Sequence, residues 1–435
     1  MPDFRDPSFL LEHIRHTLSF YEGRCLDASG GFFHFYKDDG TVYDRRTRHL
    51  VSSTRFVFNH AMAFRRFGGR GRQDAVRHGV AFLHTAHAQA LHDTPGRPKF
   101  PGSTRATKGP RVALVGRTPQ SGGLGGAPSG YAWQLDWFEG RATVQDGTNH
   151  CYGLAFVVLA HAHALMAGVP EAAAGLEGTW QLMEQRFWEP AHGLYADEAT
   201  PDWQVGPYRG QNANMHACEA MIAAFDATGE RKYLERALTL AESITQRQAA
   251  LAAGLVWEHY RANWTPDWDY NRHDKTNIFR PWGYQTGHLT EWAKLLLQLE
   301  AHLPDDQRPA WLLTTARHFF DTAMRRGWDV RHGGLVYGFA PDGDVCDGHK
   351  YFWVQAESFA AAALLAVRTG DARYWEAYDR IWAYSWQHMV DHRHGAWYRI
   401  LTPDNRAISA EKSPAGKTDY HTMGACYDVL RAIGG

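Results

Sequence analysis

A glycine followed by two or three apolar or aromatic residues recurs six times along the chain. It stands at Gly31 (GFFHFY), Gly130 (GYAWQLD), Gly193 (GLYADE), Gly254 (GLVWEHY), Gly334 (GLVYGF) and Gly395 (GAWYRI). Three of the five intervals fall near 61 residues. Such a period marks a supersecondary unit that cannot bury its own apolar face and must stack on its neighbours. Pairs of helical patterns run between the glycines. CYGLAFVVLAHAHALMAG precedes AAAGLEGTWQLMEQRFW, MHACEAMIAAFDATG precedes RKYLERALTLAESITQRQ, and WVQAESFAAAALLAVRTG precedes YWEAYDRIWAYSWQHMV. The first member of each couplet is rich in Ala and bulky apolar residues, and the second is amphipathic. This predicts a buried inner helix backed by an outer one. An open stack needs polar caps at its ends, and none is legible here. The expectation is an all-α (α/α)6 barrel, a closed toroid with short β-hairpins in its loops, formed as one domain over 1–435. An open solenoid is the structural alternative.

Two intervals are long. The first holds a Gly, Pro, Arg and Lys-rich stretch at about 88–128, expected to be a mobile insertion. It contains no G-x-x-x-x-G-K-[ST] and is not a phosphate loop. The second holds RANWTPDWDYNRHDKTNIFR, expected either to fold over the mouth of the barrel or to lie on its surface. Lys and Arg number 46 against 47 Asp and Glu, which leaves no basic excess for nucleic acid or an anionic membrane. Five scattered cysteines without a CxxC pair read as reduced thiols. The opening MPDFRDPSFLLEHIRHTLSF has no apolar signal core, and no run reaches the roughly 20 apolar residues of a membrane span. A cytoplasmic location follows as an expectation.

Counting from each repeat glycine into the next inner helix brings unusual polar residues to comparable positions. These are Arg55, His150, His216, His288, the group Trp353, Gln355 and Glu357, and His421. In a closed ring, equivalent positions face one central cavity. A lone histidine near a helix start is more often structural; its recurrence at one phase points to a shared site. His288 and Glu291 are spaced i and i+3, as are His216 and Glu219, so each pair shares a helix face. A carboxylate beside an imidazole holds its tautomer and raises its proton affinity, as a general base requires. Asn212, four residues before His216, offers an amide to a hydroxyl. Metal ligation is the alternative reading of both pairs. Neither carries a second His at i+4, so no metal and no cofactor is expected.

Imidazoles in a pocket without an evident nucleophile suit proton transfer at a carbon next to a carbonyl. An aldose would open, lose its C2 proton and form an enediol, whose oxygen charge needs a fixed donor such as Arg55. Glycoside hydrolysis is the rival, since it needs two carboxyl groups across a sugar. Glu219, Glu291 and Glu357 are candidates, but each stands beside a His or Gln that it can orient.

The segments RHLVSSTRFVFNHA, QNANMHACEA, FRPWGYQTGHLTEWAKLL, KYFWVQAES and TDYHTMGACYDVL occur in this order on the sixfold repeat. Together they resemble the N-acylglucosamine 2-epimerase superfamily, and within it the group of bacterial mannose and sulfoquinovose isomerases. The resemblance covers nearly the whole chain, and the basic insertion departs from the compact family pattern. It implies enediol chemistry without an essential metal, with His288 and His421 as the catalytic pair. It further implies that Arg55, His216 and Glu291 bind substrate and tune that pair, and that Asn212, Trp353, Gln355 and Glu357 form the sugar-contacting wall. The implied activity is aldose–ketose isomerisation of an unphosphorylated hexose, D-mannose to D-fructose first. Sugar 2-epimerisation, of the N-acylglucosamine or cellobiose type, and sulfoquinovose isomerisation are the alternatives. A non-catalytic protein-binding scaffold is a further one. The expected partner is a small sugar, bound by a monomer or homodimer.

Overall fold

The computed structural model describes residues 2–89, 129–274, 277 and 279–435. Twelve α-helices occur among them: α1 (Pro7–Tyr21), α2 (Leu50–Phe67), α3 (Arg70–Phe82), α4 (Cys151–Met166), α5 (Ala172–Arg186), α6 (Gln211–Thr228), α7 (Arg231–Glu242), α8 (Thr286–Ala301), α9 (Trp311–Gly327), α10 (Phe352–Thr369), α11 (Ala372–His388) and α12 (Tyr420–Ala432). The even-numbered helices pack side by side in the order α2, α4, α6, α8, α10, α12, and α12 returns to α2, closing the ring. Each has an outer partner. Five pairs are consecutive, α2/α3 to α10/α11, whereas the sixth sets α12 against α1 from the other end of the chain. This is the expected (α/α)6 toroid. Among the described residues no helix is long and apolar enough to cross a membrane.

The inner and outer roles follow from composition. In α4, 13 of 16 residues are buried, because Ala, Val and Leu occupy every face of a helix walled in all round. In α7 only 5 of 12 are buried, on the one stripe facing inward, with Arg, Lys and Glu on the other faces. Outer helices are thus held by one face and inner helices by nearly all of it.

Short antiparallel ladders at one end of the ring lock neighbouring repeats together. The residues just before α2, α4, α6, α8 and α10 pair with the hairpin of the following repeat: Thr47–His49 with Gln134–Asp136, Asn149–His150 with Glu198–Ala199, Arg209–Gly210 with His259–Tyr260, Tyr284–Gln285 with Gly338–Phe339, and Lys350–Tyr351 with Ile400–Leu401. Tyr36 paired with Ser413 joins the last repeat to the first. Five inner helices, α2 to α10, therefore start at the residue after a fixed ladder, and their first turns are held at the barrel mouth. Five of the six repeat glycines take positive φ, from +59° at Gly193 to +89° at Gly395, where a side chain would be strained. Gly130 differs: it lies in an extended pair with Gln89, and a Cβ there would meet Asn149 Oδ1 at 2.5 Å. Its recurrence in the sequence reflects close packing, not a turn. The insertion expected at 88–128 begins as the strand Ala88–Gln89; from residue 90 onward it lies outside the described residues.

Candidate active site

All six inner helices point their N-termini at one cavity of about 480 Å³ on the ring axis. The positive ends of six helix dipoles converge here and favour developing negative charge. His49 and His150, the residues immediately before α2 and α4, line it with Arg55, Tyr152, Asn212, His216, His288, Glu291, Trp353 and His421. Sequence-expected residues from five different helices thus meet in one space.

His421, in the first turn of α12, contacts Glu357 Oε1 of α10 through Nδ1 at 2.7 Å. Its Nε2 lies 3.3 Å from Arg55 Nη2. Arginine can only donate, so Nε2 is the acceptor and the ring proton sits on Nδ1, donated to Glu357. Burial, followed by the Arg55 and His216 charges, holds His421 well below the ordinary imidazole range. It is neutral at pH 7, with a bare Nε2 turned to the cavity.

His288, in the first turn of α8, is held differently from the expectation. Its Nδ1 contacts both oxygens of Glu258, each at 2.9 Å, and not Glu291. The Glu258 carboxylate, which can only accept, places the ring proton on Nδ1; Gln211 orients that carboxylate, and its amide nitrogen also lies 2.9 Å from Nδ1. Trp292 donates its indole N–H to Gln211 Oε1 at 2.8 Å, which turns the Gln211 amide nitrogen to Glu258 Oε2 at 2.9 Å. Glu258 therefore accepts from Gln211 and from His288 Nδ1–H, leaving His288 Nε2 bare. Glu258 sits in the Gly254 hairpin, outside the helices where the repeat phase was counted. Its signal was a single charged residue among aromatics in GLVWEHY.

His216 matches its expected pairing, with Nδ1 2.9 Å from Glu219 Oε2. Tyr420 donates to the other Glu219 oxygen. Glu219 thus lies behind His216 and does not reach the cavity wall. Glu291 does reach the wall, with its Oε1 3.9 Å from His216 Nδ1, and no hydrogen bond from a described residue reaches its carboxyl. Burial, then the neighbouring Glu357, pushes Glu291 well above the usual carboxylate range. This favours its protonated form, which can donate to a substrate oxygen.

The Arg55 guanidinium is clamped by the Gly416 carbonyl and by Tyr152 Oη at 3.1 Å, and it stacks over Phe156 and Tyr420 at 4.4 and 4.9 Å. It is a rigid donor beside His421. The Trp353 ring spans the two bare imidazoles, 5.0 Å from His288 and 5.8 Å from His421 between centroids. Phe279, Arg280 and Pro281 from the second long interval line one side of the mouth, so the end of that segment lies at the barrel opening. Arg280 pairs with Glu198 at 2.6 Å and stacks on Tyr208 at 3.9 Å.

Two residues expected on the sugar-contacting wall lie elsewhere. Gln355 is fully buried and bonds both ways to the Leu335 backbone, at 2.9 and 2.8 Å, pinning the Gly334 hairpin. Glu357 stands behind His421. The His288/Glu291 pair does not converge as ligands would. His216, Glu219 and Glu291 do cluster, and so do Glu291, Glu357 and His421, but the Glu219 oxygens are held by His216 and Tyr420 and those of Glu357 by His421 and Lys294.

Two imidazoles, each turned by its own carboxylate to offer a bare Nε2 to a polar, ring-lined cavity, define acid–base chemistry on a small polyhydroxy substrate. The profile of the N-acylglucosamine 2-epimerase (GlcNAc 2-epimerase) family matches residues 31–98 and 120–425, and the chain belongs to that family. It is 50% identical over 434 residues to a D-mannose isomerase of Marinomonas mediterranea, covering 99% of each chain. A crystal structure of D-mannose isomerase, also 50% identical, superposes with a TM-score of 0.87 over 99% of both chains. A cellobiose 2-epimerase from Spirochaeta thermophila, 23% identical, shares the fold with a TM-score of 0.79 over 98% of this chain and 96% of that one.

Proposed function

We propose that this barrel is one catalytic unit that interconverts D-mannose and D-fructose through a cis-enediolate, without a metal ion. The observation that carries this reading is the bare, carboxylate-oriented Nε2 of both His288 and His421 on one cavity. The full-length identity to D-mannose isomerase supports the choice of sugar.

The residues divide the work by position. His288, with Glu258 behind it, exchanges the ring-oxygen and anomeric protons that open and close the pyranose. His421 takes the C2 proton on Nε2; the electron pair moves into the C1–C2 bond and charge develops on oxygen. Arg55, fixed beside His421, meets that charge, and the protonated form of Glu291 supplies a further hydrogen bond. The O2 hydroxyl proton passes to O1 while His421 returns its proton to C1, so that C2 becomes the carbonyl carbon of the ketose. Trp353 offers a flat apolar face under the chain of hydroxyls between the two bases.

The test is proton NMR of the protein with D-mannose in heavy water, beside His421→Ala. Fructose carrying deuterium partly at C1, absent with the variant, is the expected result. Glucose without fructose would replace the isomerase by a 2-epimerase. Silence on mannose together with turnover of sulfoquinovose would move the substrate and leave the chemistry in place.

A further inference from the structure

Behind His421 the polar contacts continue. Lys294 Nζ, one helical turn beyond Glu291 on α8, lies 2.6 Å from Glu357 Oε2 and 3.7 Å from Asp428 Oδ2. His421, Glu357, Lys294 and Asp428 thus form a line running away from the sugar cavity. Lys294 and Glu357 are buried, whereas Asp428 is partly exposed. A second cavity, of about 60 Å³, borders this line. Lys294, Glu357 and His421 form its inner end; Gln298, Asp428 and exposed Arg431 lie toward the far face of the ring. At ~10–15 Å³ per water it has room for a few. The sugar chemistry above uses none of Lys294, Asp428 or this cavity.

We propose that Lys294 is a positioning residue that keeps Glu357 a carboxylate and thereby keeps His421 in the tautomer with a bare Nε2. The proposal rests on the isomerase reading. The balance of protons is simple. With Glu357 ionised, His421 Nδ1–H donates to it and Nε2 is free to take the C2 proton. If Glu357 binds a proton, its O–H donates to Nδ1, and the ring proton must then sit on Nε2. There it confronts Arg55 and blocks the base.

The groups facing Glu357 show why a cation is needed. Lys294 and Glu291 approach from α8, His421 and Asp428 from α12, and His216 and Glu219 from α6. Burial and Glu219 raise the affinity of Glu357 for a proton above the ordinary carboxylate range even with Lys294 opposing them, and among the described residues Lys294 is the one ammonium in direct contact. Lys294 itself is held charged: burial lowers its proton affinity, but Glu357, Asp428 and the other carboxylates more than offset this.

The experiment compares pH–rate profiles for mannose isomerisation in the wild type, Lys294→Met, Lys294→Arg, Lys294→Ala and Asp428→Asn. Lys294→Met is expected to lose on the order of 10²-fold in kcat at pH 7, with KM within about threefold. Its acid limb moves to higher pH, so part of the loss returns as the medium becomes alkaline. Lys294→Arg retains most of the activity. Lys294→Ala recovers activity with added methylammonium, which the rear cavity admits. Asp428→Asn removes a repelling charge near Glu357, so its acid limb moves to lower pH. A Lys294→Met enzyme with wild-type kcat overturns the proposal. So does a loss that is flat in pH and unrescued by arginine or methylammonium. Should the Lys294 variants fail to fold, an unshifted limb in Asp428→Asn overturns it alone. Wild-type protein inactive on mannose would instead count against the isomerase reading.

Discussion

Replacing Glu258 by Gln tests the site at its least expected member. The Trp292 indole fixes Gln211 with its amide nitrogen toward position 258. A glutamine there must therefore turn its oxygen to Gln211 and its NH2 to His288 Nδ1. The Gln211 amide nitrogen also lies 2.9 Å from Nδ1. Two donors then face Nδ1, which must become an acceptor, and the ring proton moves to Nε2. The change is nearly isosteric, so the barrel should fold normally and sugar contacts should survive. Inverting the tautomer of a catalytic imidazole costs on the order of 10⁴ in kcat in a serine hydrolase. We expect a loss of about 10³–10⁴-fold here, or roughly 4–5 kcal/mol in the barrier at ~1.36 kcal/mol per decade. The assay is initial-rate fructose formation from mannose, with circular dichroism and thermal melting as folding controls. KM should stay within about threefold. A folded Glu258→Gln protein with kcat within tenfold of wild type would refute the tautomer assignment.

Three further outcomes follow from the same geometry. Arg55→Lys keeps the charge but loses the fork that holds Gly416, Tyr152 and His421 together; kcat should drop about 10²–10³-fold with intact folding, measured by the same assay. Gln355→Ala leaves the Leu335 N–H and C=O buried without partners; differential scanning fluorimetry should show a loss of about 1–3 kcal/mol per group, while kcat of the folded fraction stays near wild type. His13, His49, His161 and His163 are buried and pushed down to about 3, mainly by desolvation, and His60 and His87 to about 4. Unfolding lets each bind a proton below its ordinary 6.5, so their stabilising contribution is full above that pH. It falls as pH drops from 6.5 toward 4, by up to about 1.4 kcal/mol per unit for each group. The melting temperature should fall steeply between pH 6.5 and 5, and a flat profile would contradict the neutral burial of these rings.

The ring and the phase of its polar residues were legible because both are set by helical periodicity, which survives in a single sequence. Arg55, His216, Glu291, Trp353 and His421 occupy equivalent first or second turns and meet at one cavity, the first four on helices whose starts are fixed by ladders. Partnerships across the ring were less legible. Spacing i and i+3 placed Glu291 on the face of His288, but side chains lean toward the helix N-terminus. His288 accordingly reaches the Gly254 hairpin and its Glu258, while Glu291 turns toward His216. Gln355 stands two residues from both Trp353 and Glu357, so it points away from the axis and bonds a loop instead. Lys294 read as one polar residue in an apolar run, since its partners lie 63 and 134 positions away in the chain.

The pairing of α1 with α12 bears on how the molecule is made. Five helix couples are local and can assemble as their stretch of chain leaves the ribosome. The sixth joins segments nearly the whole polypeptide apart, and so do Tyr36 with Ser413 and Trp397 with His13. Bringing such distant segments together is the slow part of reaching the native topology. The proton-abstracting imidazole rides on that last helix, and Arg55 meets it only once the circle is shut. A half-assembled ring therefore holds sugar-contacting walls but no working base. Catalytic competence becomes a readout of completed folding, and a circular permutant opened between any two other couples should regain it.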